Sequence, residues 1–189
     1  MDLKLENKTA FITGSTAGIG YAIARGLARE GVRVILNGRT EDSVNSAISG
    51  LKKEVPSVEV SGFAADFENS EQVNHLINKL PEVDILVNNV GIYAAKTYQE
   101  TSDDDWQSML EVNLMSGVRL SRALLPGMKK RGWGRILFIS SECASLVPED
   151  LIAYSCTKAA MLALSRDATA ILLEAVRRFR PVRKELSPR

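Results

Sequence analysis

Tyr154 and Lys158 stand four residues apart in a stretch that reads as helix. That spacing puts a phenol and an ammonium on one helix face. An ammonium beside a phenol stabilises the phenolate, so the pair suits proton transfer at a reacting oxygen. Ser141 follows the apolar run Arg135–Ser140, one segment earlier. Its hydroxyl suits a hydrogen bond to a carbonyl or an alcohol. Tyr-x-x-x-Lys alone also describes an ordinary amphipathic helix. The serine at a strand end just before it is what gives the pair chemical weight.

A second chemical stretch lies near the N-terminus, Thr13-Gly14-Ser15-Thr16-Ala17-Gly18-Ile19-Gly20. It follows the apolar Ala10, Phe11 and Ile12 and precedes the helical spacing Ile19, Ile23, Leu27. A strand, a glycine-rich turn and a helix start present backbone N–H groups to an anion. A plain tight turn is the competing reading. The place of the stretch, at the end of a first strand, favours a phosphate cradle.

Other strand ends carry further candidates. After the second apolar run comes Asn37-Gly38-Arg39. A carboxylate here would bind the ribose hydroxyls of NAD; none is present. Arg39 can instead pair with a 2′-phosphate, which favours NADP over NAD, or it is an exposed surface arginine. Asp66 can accept from an adenine amino group, or it belongs to a turn; Phe67 can pack beside the ring. In Asn88-Asn89-Val90-Gly91, Gly91 admits a close approach of backbone to cofactor, while the asparagines brace neighbouring strands.

The elements that must position these groups alternate along the chain. Strands are predicted at 9–13, 32–37, 58–64, 84–88 and 135–140. Helices are predicted at 18–30, 41–54, from a Ser70 cap to 80, 103–130 from a Thr101 or Ser102 cap, and 154–173. Gly31 closes the first helix. Short, nearly all-apolar strands alternating with helices imply an α/β, doubly wound parallel sheet covered on both faces. Ligands bind such sheets at the carboxyl ends of the strands.

Composition agrees with one domain. The chain has 189 residues, 45% hydrophobic and 25% charged, and a formal net charge of +1. That charge argues against a nucleic-acid partner. No apolar run has signal-peptide or membrane-spanning length, so a cytoplasmic, non-membrane protein is expected. Cys143, Cys156 and the lone His75 make no metal-ligand pattern, and no metal site is expected. Residues 1–175 form the expected dinucleotide-binding domain. The tail 176–189, with six basic residues and one acid, reads as irregular.

Taken jointly, T-G-S-T-A-G-I-G at 13–20, Asp66, N-N-V-G at 88–91, Asn113 in V-N-L, Ser141 and Y-S-C-T-K at 154–158 resemble the short-chain dehydrogenase/reductase family. The resemblance runs from about Lys8 to about Arg166. It implies a Rossmann-like fold and hydride transfer between NADP(H) and a small carbonyl or alcohol. A 3-oxoacyl thioester is one such substrate. Gly14, Ser15, Thr16, Gly18, Ile19, Gly20, Arg39, Asp66, Phe67, Asn89 and Gly91 would hold the cofactor. Tyr154 would be the acid/base. Lys158 would support Tyr154 and hold the nicotinamide ribose, Ser141 would polarise the carbonyl, and Asn113 would hold a relay water. For Asn113 the other reading is a helix-interior residue braced on backbone. The family also implies a homo-oligomer through the helices at 103–130 and 154–173.

Family members continue past this point into a sixth strand, a Pro-Gly turn, a covering loop and a seventh strand. No such pattern follows Asp167 here. The expectation is therefore a shortened chain lacking the last two strands, with the fifth strand left as a sheet edge. The alternative function is a weakly active or inactive homologue that only binds dinucleotide or a protein partner.

Overall fold

Five parallel strands run in the order β3-β2-β1-β4-β5 in the computed structural model, which describes the backbone of residues 3–176 and side chains through residue 166. They are β1 (Thr9–Ile12), β2 (Arg33–Gly38), β3 (Val60–Ala64), β4 (Ile85–Asn88) and β5 (Arg135–Phe138). β1 is central, and the chain winds outward from it to both sides. The order therefore reverses between β1 and β4, where a doubly wound sheet opens its ligand crevice.

Strand side chains alternate between two cores. Ala10, Ile12, Val34, Leu36, Ile85 and Val87 face one way, onto α1 (Gly18–Arg29) and α2 (Glu41–Glu54). Phe11, Ile35 and Leu86 face the other way. There they meet Val73 and Leu76 of α3 (Ser70–Lys79), and Leu120 and Met128 of α5 (Ser116–Arg131). Both faces of β1 and β4 are covered, which is why every residue of these strands is buried. β5 is the expected edge among the described residues, and Leu137 on it is 45% exposed.

Most expected boundaries hold within two residues, and the differences have local causes. α3 is capped by Asn69 rather than Ser70, because the Asn69 side chain accepts from the Glu71 and Gln72 N–H groups. The long helix is divided: α4 (Asp103–Met109), a π-helical turn Leu110–Met115, then α5. Ser102 caps it in a reciprocal box with Asp105. Gly132, at φ +69°, ends it. α6 (Ile152–Val176) starts two residues before Tyr154, because Ser155 N–H already bonds Leu151 O at 2.8 Å. A short 3-10 turn, Glu142–Ala144, lies between β5 and α6. Of the expected irregular tail, all but Val176 lies outside the described residues.

Candidate active site

The glycine-rich turn after β1 is held open by polar side chains below it. Thr13 Oγ1 accepts from the Asn89 and Val90 N–H groups, both at 2.9 Å. Asn89 Nδ2 donates to Thr13 O and Gly14 O at 2.9 and 3.0 Å. Gly14 N–H donates to Asn37 Oδ1 at 3.0 Å. Ser15 is fully buried: its hydroxyl donates to Ile12 O at 2.7 Å and accepts from Asn37 N–H at 2.9 Å. Ser15 and Asn89 thus build the turn, and their side chains are directed into it rather than at a ligand.

Two glycines explain the turn's shape. Gly14 and Gly18 sit at φ +58° and +57°, in the left-handed region that a Cβ strains. Gly20 is required by packing: a Cβ there would lie 2.4 Å from Gly14 O and 2.6 Å from Asn89 Nδ2. Without it α1 cannot sit on the turn.

α1 differs from its neighbours at its N-terminus. α2, α3 and α4 are capped by the side chains of Thr40, Asn69 and Ser102. The N-cap of α1 is Ala17, which has no capping side chain, and no acid lies in the first turn. The first N–H groups of α1, around Ile19, are left for an external acceptor.

They open on a groove of about 290 Å³ that crosses the carboxyl ends of β1, β2 and β4. Gly14, Thr16 and Ala17 form its centre, Arg39 and Asp66 one end, and Gly91 and Ile92 the other. Arg39 is exposed and makes no hydrogen bond or ion pair among the described residues. Asp66 Oδ1 accepts from Glu68 N–H at 3.0 Å, so part of the carboxylate is used in the turn reading as well. Phe67 borders the groove but is 2% exposed and packs among core residues, so it offers an edge rather than a stacking face.

Gly91, in the lining of the groove, is a neighbour of Lys158. A Cβ on Gly91 would lie 3.5 Å from Lys158 Nζ and 3.4 Å from Asn113 Oδ1. Lys158 is 3% exposed, and its ammonium donates to Ile139 O, just past β5, at 2.8 Å. Burial pushes its pKa below the usual lysine value. The same ammonium lies 5.5 Å from the centre of the Tyr154 ring. Tyr93 meets that ring edge-to-face, with centroids 6.0 Å apart. Ser141 caps the 3-10 turn, its Oγ accepting from Cys143 N–H at 3.2 Å.

Asn113 makes the bracing contacts raised from sequence as its other reading. It sits in the π-helical turn with its side chain buried. Oδ1 accepts from Ile92 N–H at 2.7 Å. Nδ2 donates to Ile92 O at 2.9 Å and to Thr157 Oγ1 at 3.0 Å. Both amide hydrogens are used in these contacts. Its bonds brace the segment after β4 against α6, which is the other reading raised from sequence. Thr13, Asn37 and Thr157 were missed from sequence. Asn37 lies one residue before the end of β2, and a polar residue near the end of a buried strand is the signal that marks it.

Among the described residues, no group of His, Cys, Asp and Glu is arranged to hold a metal ion. No described helix is long and apolar enough to cross a membrane.

Known proteins resemble this arrangement along most of the chain. Residues 8–176 match the family model of the short chain dehydrogenases. The oxidoreductase YvaG of Bacillus subtilis is 46% identical over 166 residues, 88% of this chain and 63% of YvaG. D-beta-hydroxybutyrate dehydrogenase of Rhizobium meliloti is 32% identical, over 84% of this chain and 63% of that one. The chain thus spans less than two thirds of these curated relatives. The solved structure of L-sorbose reductase from Gluconobacter frateurii, complexed with NADPH and L-sorbose, superposes with a TM-score of 0.87 at 36% identity. That match covers 93% of this chain and 68% of the reductase.

Proposed function

The chain belongs to the short-chain dehydrogenase family, and from that premise we propose that it moves hydride between NADP(H) and a small carbonyl or alcohol, with Tyr154 as acid/base. One observation carries the reading. A groove is lined by an uncapped helix N-terminus and by Gly91, and a Cβ on Gly91 would lie 3.5 Å from the ammonium of a buried lysine that flanks a tyrosine.

The residues fit a dinucleotide. The free N–H groups at the start of α1, with Gly14, Thr16 and Gly18, would hold the pyrophosphate. Arg39, unpaired at the end of β2, would take the 2′-phosphate, and this supports NADP over NAD. The NADPH of the sorbose reductase crystal is consistent with that choice. Asp66 would accept from the adenine, and Gly91 would let backbone approach the nicotinamide half. When bound, the nicotinamide supplies the hydride chemistry.

The chain's own residues would handle the proton. Tyr154 donates to the substrate oxygen on reduction, or removes the proton on oxidation. Lys158, fixed by Ile139 O, stabilises the phenolate. Ser141, whose Oγ accepts from Cys143 N–H, keeps its own O–H to donate to the carbonyl and orient it. Asn113 acts here as a positioning residue, holding Ile92 and hence the Gly91 wall. Association of copies through α4–α5 and α6 belongs to the same proposal.

The test is a fluorescence titration of the full chain with NADPH and NADH, followed by turnover of a ketone panel by the wild type and Tyr154→Phe. Tight NADPH binding with Tyr154-dependent turnover is the expected result. Binding without such turnover would leave the dinucleotide-binding alternative; no binding would sink both.

A further inference from the structure

Two segments flank Tyr154, and their chemistry is uneven. The first, after β4, carries Tyr93, which is 73% exposed while its ring meets the Tyr154 ring edge-to-face. The second, between β5 and α6, exposes Leu146 and Val147. The two are joined: Lys96 bridges to Leu151, and Lys96 N–H bonds Asp150 O at 2.8 Å. The Tyr93 ring is thus an exposed aromatic surface held directly beside the phenol of the proposed acid/base. Isolated exposed apolar side chains are ordinary, but a ring held against a catalytic ring at 6.0 Å is not solvent decoration.

The charges in the same segments are one-sided. From Ile136 to Thr157 the chain carries Glu142, Glu149 and Asp150 and no lysine or arginine. From Gly91 to Ser102 its one cation is Lys96, whose ammonium is held by both Asp105 oxygens at 2.8 and 2.7 Å. Lys158 is buried and already donates to Ile139 O. Among the described residues, neither flanking segment offers a free cation for a carboxylate or phosphate on the substrate, and each carries acids that would repel one.

We propose that Tyr93 is a specificity-determining residue, and that the site selects neutral ketones or alcohols carrying an aromatic or other apolar substituent over substrates bearing a carboxylate. The proposal rests on the reading of Tyr154 as acid/base. The exposed Tyr93 ring packs against the substituent while the reacting oxygen lies at Tyr154. An anionic substituent would lose hydration without gaining a partner.

Binding, rather than turnover, tests this. Ligand-observed NMR compares acetophenone with 4-acetylbenzoate, on the full chain with saturating NADPH and separately without it. Acetophenone is expected to bind about tenfold more tightly. Tyr93→Ala should weaken acetophenone binding roughly fivefold, in line with the worth of an aromatic pair, while Tyr93→Phe stays within about twofold. NADPH affinity, followed by fluorescence, should be unchanged in both variants. Equal affinity for the two probes, or no effect of Tyr93→Ala, overturns the proposal. If NADPH does not bind the wild type, the functional reading above fails, while the two-probe comparison without cofactor still decides the role of Tyr93.

Discussion

Asn113 and Ile92 close a two-bond ring: Oδ1 accepts from the Ile92 N–H at 2.7 Å, and Nδ2 donates to the Ile92 carbonyl at 2.9 Å. One amide therefore satisfies both polar groups of a loop residue, and its second hydrogen reaches Thr157 on α6. Such an arrangement ties three elements at one point.

Removing that amide should be felt in stability. Asn113→Ala leaves the Ile92 N–H and carbonyl without their partner, at a cost of about 1–3 kcal/mol for each group that water cannot reach, while the Thr157 hydroxyl keeps its bond to Tyr154 O. Chemical denaturation should show a lower midpoint with an unchanged slope. A midpoint equal to that of wild type would mean that water replaces the amide.

Tyr154→Phe keeps the ring and its contact with Tyr93 but loses the hydroxyl. The expected outcome is a fall of roughly 10²–10⁴-fold in kcat, the usual worth of a positioned general acid or base. NADPH affinity should stay within a factor of about two. Turnover comparable to wild type would remove Tyr154 from the chemistry.

Arg39 is the unpaired cation at the adenine end of the groove. Arg39→Ala should weaken NADPH binding about 10- to 100-fold, the equivalent of a charged hydrogen bond, and leave NADH nearly unchanged. Parallel loss for both cofactors would show that Arg39 shapes the turn rather than reading a 2′-phosphate.

Two glycines of α1, Gly20 and Gly26, should respond oppositely to the same change. At Gly20 a Cβ would sit 2.4 Å from Gly14 O, so Gly20→Ala must displace the turn. Both melting temperature and cofactor binding should fall. At Gly26 nothing lies within 4 Å of a new Cβ, and Gly26→Ala should stabilise by about 0.5–1 kcal/mol through backbone entropy. Equal effects at the two positions would refute the packing account of Gly20.

Asp105 offers a pH handle. The Lys96 ammonium and the Ser102 hydroxyl and N–H hold its pKa down to about 2, from an ordinary 3.8. Its folded value is depressed, so the stabilisation is fully present above pH 3.8 and is lost as pH falls through about 2. An NMR titration of the Asp105 carboxyl carbon should place its midpoint near 2 in wild type. Lys96→Met should move the midpoint upward.

Much of this was readable in the chain itself. Short apolar runs such as Ala10–Ile12 and Ile85–Val87 declare a sheet covered on both faces, because only full burial tolerates them. Helix caps, the glycine turn and the four-residue step from Tyr154 to Lys158 are local patterns, set by backbone geometry within a few residues.

Other features depended on what lies across space. Ser15 and Asn89 look like ligand groups in sequence; the closeness of β1, β2 and β4 turns them inward to build the turn. The fate of Asn113 was decided by Ile92 and Thr157, 21 and 44 residues away. The groove itself exists only because the strand order reverses at β1 and β4, where no helix crosses the strand ends. Sequence spacing thus assigns residues to elements and to helix faces. Which polar atoms remain free for chemistry is settled by the tertiary structure, since a buried donor or acceptor takes whatever partner folding brings to it.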